Sequence, residues 1–264
     1  MLQDKDNFDV EQSFKAGLYQ AELFWRRMGS RPDFTDKDVL EIGSGLGALS
    51  VSIAQQGARR VLGLDVWAPR VATAVDLVAT HYPELSCVAF AATPSTEFAG
   101  EAQFDIVVSQ NTFEHVRDVA AVLASIRRLL RPGGKAHIGF SPLYHSPFGD
   151  HSELRARIKL PWLHLIAGRK RVIAAFNRAN DMNVETLVAC GYNGCTPRQF
   201  DHAFATCGLD IKSRRVNPTE GGLKNLAMMA FRGLARLPGL EPYFTVGLYF
   251  VLQKPEASTG MGQA

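Results

Sequence analysis

The chain has 264 residues, 46% of them hydrophobic and 21% charged, the balance of a globular protein that buries a real core. A net charge of +3 is too small to argue for a nucleic-acid partner, and four cysteines without a CxxC pair argue against a disulfide framework or a thiolate metal centre. No apolar run approaches the roughly 20 residues a membrane span needs. The polar, acidic start MLQDKDNFDV does not read as a signal peptide, so the expected location is the cytoplasm.

In chain order, residues 11–29 carry Phe14, Leu18, Ala21 and Trp25 at helical spacing, with Gly29 and Pro32 as the stop. Strand 38–42 runs into a glycine-rich turn, and a helix follows over 46–56. A second strand is expected at 60–65 and a second helix at 69–81, with Pro69 in its first turn, where a missing N–H costs little. Strands at 87–91 and 104–109, a helix at 116–130 ended by Arg131-Pro132-Gly133-Gly134, and a strand at 135–140 complete the regular part. Strands alternating with helices imply a largely parallel sheet with right-handed crossovers.

The alternation then breaks. Residues 141–196 hold no clear βα unit, and the stretch from Asp150 to Asn180 has seven Lys or Arg (Arg155, Arg157, Lys159, Arg169, Lys170, Arg171, Arg178) against two acids. Such a surface suits an anionic or lipid-like acceptor, a peripheral membrane contact or plain solvation. Order returns with a helix at 197–207, a strand at 209–216, an extra helix at 222–237 and a last strand at 244–252. The organisation read from this is a helical cap over 1–36, a main domain over 37–140 and 197–253, an acceptor-binding or lid insertion over 141–196, and a disordered tail over 254–264.

The sharpest signal is VLEIGSGLG, residues 39–47, between a strand and a helix. Its glycines let the backbone turn and approach a ligand, and the helix after them turns free N–H groups toward it. Asp65 ends the second strand about twenty residues later, where a carboxylate can accept the hydroxyls of a ribose. The spacing is GxGxG rather than GxGxxG, and Glu41 stands on the strand before the loop. That carboxylate would repel a dinucleotide pyrophosphate but attract a cationic ligand.

Four blocks in this order, VLEIGSGLG, GLDVWAPR, FDIVVSQNTFEHV and LLRPGGKAHIGFSP, resemble the class I S-adenosylmethionine-dependent methyltransferases, in particular the small-molecule group related to the ubiquinone- and menaquinone-pathway enzymes. The resemblance covers roughly residues 37–140 and returns weakly in the last two strands. It implies a Rossmann-like α/β fold: a seven-stranded, mostly parallel sheet with helices on both faces, the last strand antiparallel, and an inserted helical segment after the fifth strand. It also implies that Glu41, Gly43 and Gly45 line the methionine side of S-adenosylmethionine. Asp65 then holds the ribose, Val66 or Trp67 the adenine, and Gln110 and Asn111 lie near the methyl donor. The acid that often follows the third strand in the family is missing from AATPSTEF, which offers Thr93 instead.

Methyl transfer to oxygen needs an acceptor aligned, water excluded and a proton removed. His115 and His145 are the candidate bases, and Tyr144 and His151 candidate acceptor contacts. No metal is expected: relatives in ubiquinone synthesis carry an acid where this chain has Asn111, beside the matching Glu114 and His115, and the exchange removes a hard oxygen ligand. No nucleic acid is expected either, since the Asn/Asp-Pro-Pro-Tyr motif of base-amine methylases is absent. The function expected is methylation of a small or medium-sized acceptor, at oxygen. A catalytically silent binding module and an NAD(P)-dependent oxidoreductase are the alternatives. Oligomeric state is not legible.

Overall fold

A computed structural model of the chain describes residues 9–151, 154, 160–219 and 224–256. Strands β1 (Asp38–Ile42), β2 (Arg60–Asp65), β3 (Val88–Ala92), β4 (Phe104–Gln110), β5 (Leu130–Phe140), β6 (Asp210–Val216) and β7 (Leu248–Gln253) form one seven-stranded sheet in the order β3-β2-β1-β4-β5-β7-β6. β7 lies antiparallel between β5 and β6, and the other pairs are parallel. This is the Rossmann-like α/β architecture, with the last strand inserted as expected.

Alternation along each strand sorts the core onto two faces. Val39, Ile106, Val108, Tyr249 and Val251 point to one face, where helix α1 (Val10–Met28) lays Phe24, Trp25 and Met28, and helix α2 (Ala48–Ala54) lays Leu49 and Ile53. Leu40, Val107 and Phe250 point the other way, toward helices α4 (Val119–Leu129) and α7 (Pro197–Thr206) with Leu123, Ile126, Phe200 and Phe204. Both faces of β1 are therefore covered, which is why DVLEI is buried throughout. Helix α3 (Ala68–His81) packs Leu77 and Val78 against Phe14 and Val51. Local chemistry fixes the helix ends. Asp9 and Asp118 accept the amides of Gln12 and Ala121, Gly29 closes α1 at φ 80°, and Thr196 with Gln199 forms a capping box on α7.

Three of the boundary differences from the sequence reading have a visible cause. Helix α4 starts at Val119 rather than residue 116, because Asp118 caps it. Arg131-Pro132-Gly133-Gly134 does not merely end that helix. It belongs to β5 as an irregularity, with Phe104 paired to Leu130 and Ile106 next paired to Lys135. In the last region, residues 241–244 form a short helix, α9 (Glu241–Phe244), so β7 begins only at Leu248. The insertion contains α5 (Leu163–Ala167) and α6 (Arg169–Asn180), and its own cluster joins Tyr144, Val172, Phe176, Cys190 and Tyr192. The expected helix at 222–237 is described as α8 (Lys224–Leu234). The basic residues Arg155, Arg157 and Lys159, the start 1–8 and the tail 257–264 lie outside the described residues. No helix among the described residues is long and apolar enough to cross a membrane.

At the amino end of β1, buried Asp38 accepts Arg59 at 3.0 and 2.6 Å and Arg131 at 2.7 Å, while Arg131 also reaches Asp105 at 2.7 Å. The Arg59 hydrogen bonds hold the Asp38 carboxyl down at about 2 despite its burial. A group depressed from 3.8 to about 2 stabilises the fold fully above pH 3.8 and loses that contribution as the pH falls through about 2. Asp38→Asn is expected to lower unfolding free energy by about 1–2 kcal/mol at neutral pH, and by progressively less in acid. Urea melts at pH 7 and pH 3 check this.

Candidate active site

The chain leaves β1 and β4, adjacent in the sheet, toward opposite sides of it, which opens a crevice at their carboxyl ends. The loop after β1 is pinned from below, Gly43 and Ser44 donating to the Leu64 carbonyl at 2.7 and 3.0 Å. Gly43, Gly45 and Gly47 all have φ between 55° and 82°. Their reasons differ. A Cβ on Gly43 would lie 2.1 Å from Thr112 Oγ1, and one on Gly47 2.4 Å from the Phe90 ring, so these two glycines serve packing within the protein. A Cβ on Gly45 would meet nothing nearer than Arg70 Cδ at 3.8 Å. Gly45 is where the bend faces open space.

Asp65 fixes the far wall. Its Oδ2 accepts Gly45 N–H at 2.9 Å and its Oδ1 accepts Trp67 N–H at 3.0 Å, leaving lone pairs on both oxygens. Val66 beside it is 76% exposed, an apolar side chain presented at the crevice edge. Trp67 is half-buried, with the Arg70 guanidinium 4.8 Å over its ring. Thr93, just past β3, is half-buried.

Glu41 is 3% exposed, and Ser50 Oγ donates to its Oε2 at 2.5 Å. Burial pushes its carboxyl up to about 8, with the Asp65 charge adding to the rise and the Ser50 hydroxyl opposing it. A carboxyl this costly to ionise gains most from a ligand cation.

The loop after β4 supplies the opposite wall. Asn111 is exposed at φ 49°, and its amide donates to Gly139. Gln110 spends its side-chain amide on the Gln20 carbonyl of α1 at 2.9 Å, which joins the helical cap to the crevice. His115 Nδ1 lies 2.6 Å from the Gly191 carbonyl. A carbonyl only accepts, so Nδ1 carries the proton and neutral His115 keeps its lone pair on Nε2. Burial lowers the pKa of this ring, which favours that neutral form.

The His115 ring sits 4.9 Å from that of His151, which is in turn 5.7 Å from Tyr192. The fold thus brings His115 and His151 together across the boundary between the loop after β4 and the insertion. Tyr144 is buried within the insertion cluster between His164 and Tyr192, burial raising its phenol. His145 Nε2 donates to the Gly194 carbonyl at 3.1 Å.

Glu114, beside His115 in FEHV, is not among the site residues expected from the sequence. It is 5% exposed, and neither side-chain oxygen has a hydrogen-bond partner. Burial pushes its carboxyl up to about 8 against the weaker pull of nearby backbone amides. The adjacent Glu-His pair in FEHV was the available signal, but nothing in the sequence says which of the two is buried. Among the described residues no group of three or more His, Cys, Asp or Glu could hold a metal ion.

Residues 40–138 match the model of a methyltransferase domain. Over 113 residues the chain is 33% identical to a ubiquinone biosynthesis O-methyltransferase of Acinetobacter baumannii (strain AYE), covering 42% of this chain and 46% of that protein. Over 138 residues it is 35% identical to one of Pseudomonas aeruginosa (strain UCBPP-PA14), covering 50% and 56%. The chain spans about half the length of the curated relatives it matches. In three dimensions it resembles an S-adenosylmethionine-dependent methyltransferase of Mesorhizobium loti with a TM-score of 0.57 at 18% identity, covering 89% of this chain and 98% of that one. Residues 40–138 therefore carry a likeness to methyltransferase domains, and the sheet order is that of the Rossmann-like α/β fold.

Both raised carboxyls make the ligand-free fold sensitive to alkali. Glu41 and Glu114 rise from 4.5 to about 8, so their contribution is complete below pH 4.5 and is lost as the pH climbs through 8. Unfolding free energy should therefore decline between those limits, and Glu114→Gln should flatten the decline. Denaturant titrations at a series of pH values measure the slope.

Proposed function

We propose that the chain is an S-adenosylmethionine-dependent methyltransferase that acts on a hydroxyl oxygen of a small or medium-sized acceptor. One observation carries this reading: a buried, reluctantly ionised Glu41 and a loop-bracing Asp65 flank a glycine bend that is open at Gly45. Two carboxylates there suit a ligand with a cationic amino-acid end and a ribose, and oppose a diphosphate. The relatives named O-methyltransferases support oxygen as the attacked atom.

The chain's residues fit that cofactor. Glu41 and the open bend at Gly45 would border its amino-acid end, and Asp65 would hold its ribose hydroxyls. Val66, Trp67 and Thr93 would flank the adenine, with Gln110 and Asn111 bordering the donor end. When bound, S-adenosylmethionine supplies a methyl group already activated on a sulfonium. The protein's remaining tasks are alignment, exclusion of water and proton removal.

His115 takes the last task. With Nδ1–H spent on Gly191, the Nε2 lone pair accepts the proton of the acceptor hydroxyl, and the lowered pKa keeps it available at neutral pH. His151, 4.9 Å away, borders the same space from the insertion, and the segment 141–196 serves as its lid. His145 is the second candidate base, its Nε2–H likewise spent on a carbonyl. Tyr144 acts behind these groups, supporting the wall through its ring contacts.

Incubation with methyl-labelled S-adenosylmethionine and a panel of phenols, catechols and hydroxy acids tests the activity, label in a methyl ether being the expected product. His115→Gln should reduce kcat by about 10²–10⁴-fold and leave the KM for the cofactor unchanged. S-adenosylhomocysteine keeps the ammonium that Glu41 would meet, so its affinity should increase by roughly tenfold per pH unit toward pH 8 and then level off. Glu41→Gln should remove that dependence, as calorimetry between pH 6 and pH 9 would reveal.

A further inference from the structure

A cavity of about 640 Å³ lies away from the crevice between β1 and β4. It opens at β6, the edge strand beyond β5 and β7, roughly 15 Å across the sheet at about 4.8 Å per strand. Val216 pairs with Leu248 and Leu248 with Phe140, so the cavity sits at the carboxyl end of β5, the side on which the crevice also opens. α7, β6, α8, α9 and the turn between the last two enclose it, contributing Arg198, Arg214, Arg215, Arg232 and Arg236 against the single acid Glu241.

Two of the five arginines are matched. Arg214 makes a two-pronged pair with Asp201 at 2.6 Å on both arms, and Arg198 reaches Glu241 at 3.0 Å from an exposed position. Among the described residues, no carboxylate pairs with Arg215, Arg232 or Arg236. Arg215 reaches the cavity only from the strand, its guanidinium lying beside Gly29 at the end of α1 on the other face of the sheet. Arg232 Nε is a buried donor with no partner, and Arg232 Nη2 donates to the Asn217 carbonyl at 2.8 Å, which fixes the guanidinium in place.

Like charges gathered in one concavity repel, and buried donors without acceptors cost stability unless something accepts from them. A small polyanion removes both penalties. The Arg232 and Arg236 guanidiniums together offer more donors than the two oxygens of a carboxylate can readily accept, whereas a phosphoryl group presents three or four oxygens in a geometry their forks match.

We propose that the arginine-lined cavity between β6 and α8 binds the phosphoryl group of a phosphomonoester, phosphodiester or diphosphate. The ligand is a soluble organic phosphate or a phospholipid headgroup, which share this chemistry. Exposed Leu226 (73%) and Met229 (60%) on α8 lie on the element that carries Arg232, so apolar surface adjoins the charge. The site is separate from the glycine crevice and does not depend on what that crevice holds.

The test uses the full chain at low ionic strength. Inorganic pyrophosphate is titrated calorimetrically, and sedimentation is measured with phosphatidylglycerol vesicles against phosphatidylcholine vesicles. Arg232→Gln combined with Arg236→Gln should weaken binding by roughly tenfold or more, since each lost fork removes a charge-assisted contact. Arg236→Gln alone, on an exposed side chain, should give a smaller loss, and it carries the comparison if the double variant melts early. Pyrophosphate binding lost in the variants supports a soluble phosphate ligand. Binding confined to phosphatidylglycerol vesicles and lost in the variants supports the headgroup. Binding of neither probe, or equal binding by wild type and variants, overturns the proposal.

Discussion

Both oxygens of Asp65 are engaged by backbone, Gly45 N–H on one side and Trp67 N–H on the other. That carboxylate ties the turn after β1 to the turn after β2 and sets the width of the crevice mouth. Gly45, the glycine left facing open space, is also one of the two amides it holds. Without this brace the loop at φ values near 55–82° would lose its main anchor apart from the two amide bonds to Leu64. The same acid sits where ribose hydroxyls would need an acceptor, so shaping the loop and receiving the ligand fall to one side chain.

Charge is distributed unevenly over the carboxyl end of the sheet. The crevice between β1 and β4 is acidic and reluctant to ionise, with Glu41 and Glu114 both pushed up to about 8 by burial. The edge at β6 is the reverse, an arginine cavity with little carboxylate to balance it. Between them the insertion builds its own aromatic cluster and delivers His151 to His115. A cationic donor and an anionic ligand would thus be drawn to different places on one surface.

Periodicity made the sheet legible. DVLEI and RVLGLD are apolar runs bounded by turn residues, and β1 and β2 begin and end where those runs do. The end of β5 was readable and its beginning was not. Pro132 and a glycine pair look like a stop, yet an irregularity lets the strand absorb them, and such pairing depends on β4 rather than on local sequence. Residues 241–244 were hidden for a related reason: Pro242 in the first turn of a four-residue helix gives too short a pattern to separate from a strand start. In the site, the glycines, Asp65 and Glu41 stood out because spacing along one strand–turn–helix unit defines them. The burial of Glu114, the tautomer of His115 and the arginine cavity depend on segments far apart in the chain, such as Gly191 against the loop after β4. No window of sequence contains those contacts.

On the reading proposed above, the acid-flanked glycine bend accepts a sulfur nucleoside and rejects a dinucleotide. Side-by-side calorimetry of the full chain with S-adenosylhomocysteine and with NADH tests it most directly. Saturable one-to-one binding of the former, with no heat from the latter, is the predicted result. Saturable NADH binding in the absence of any response to S-adenosylhomocysteine would contradict the account.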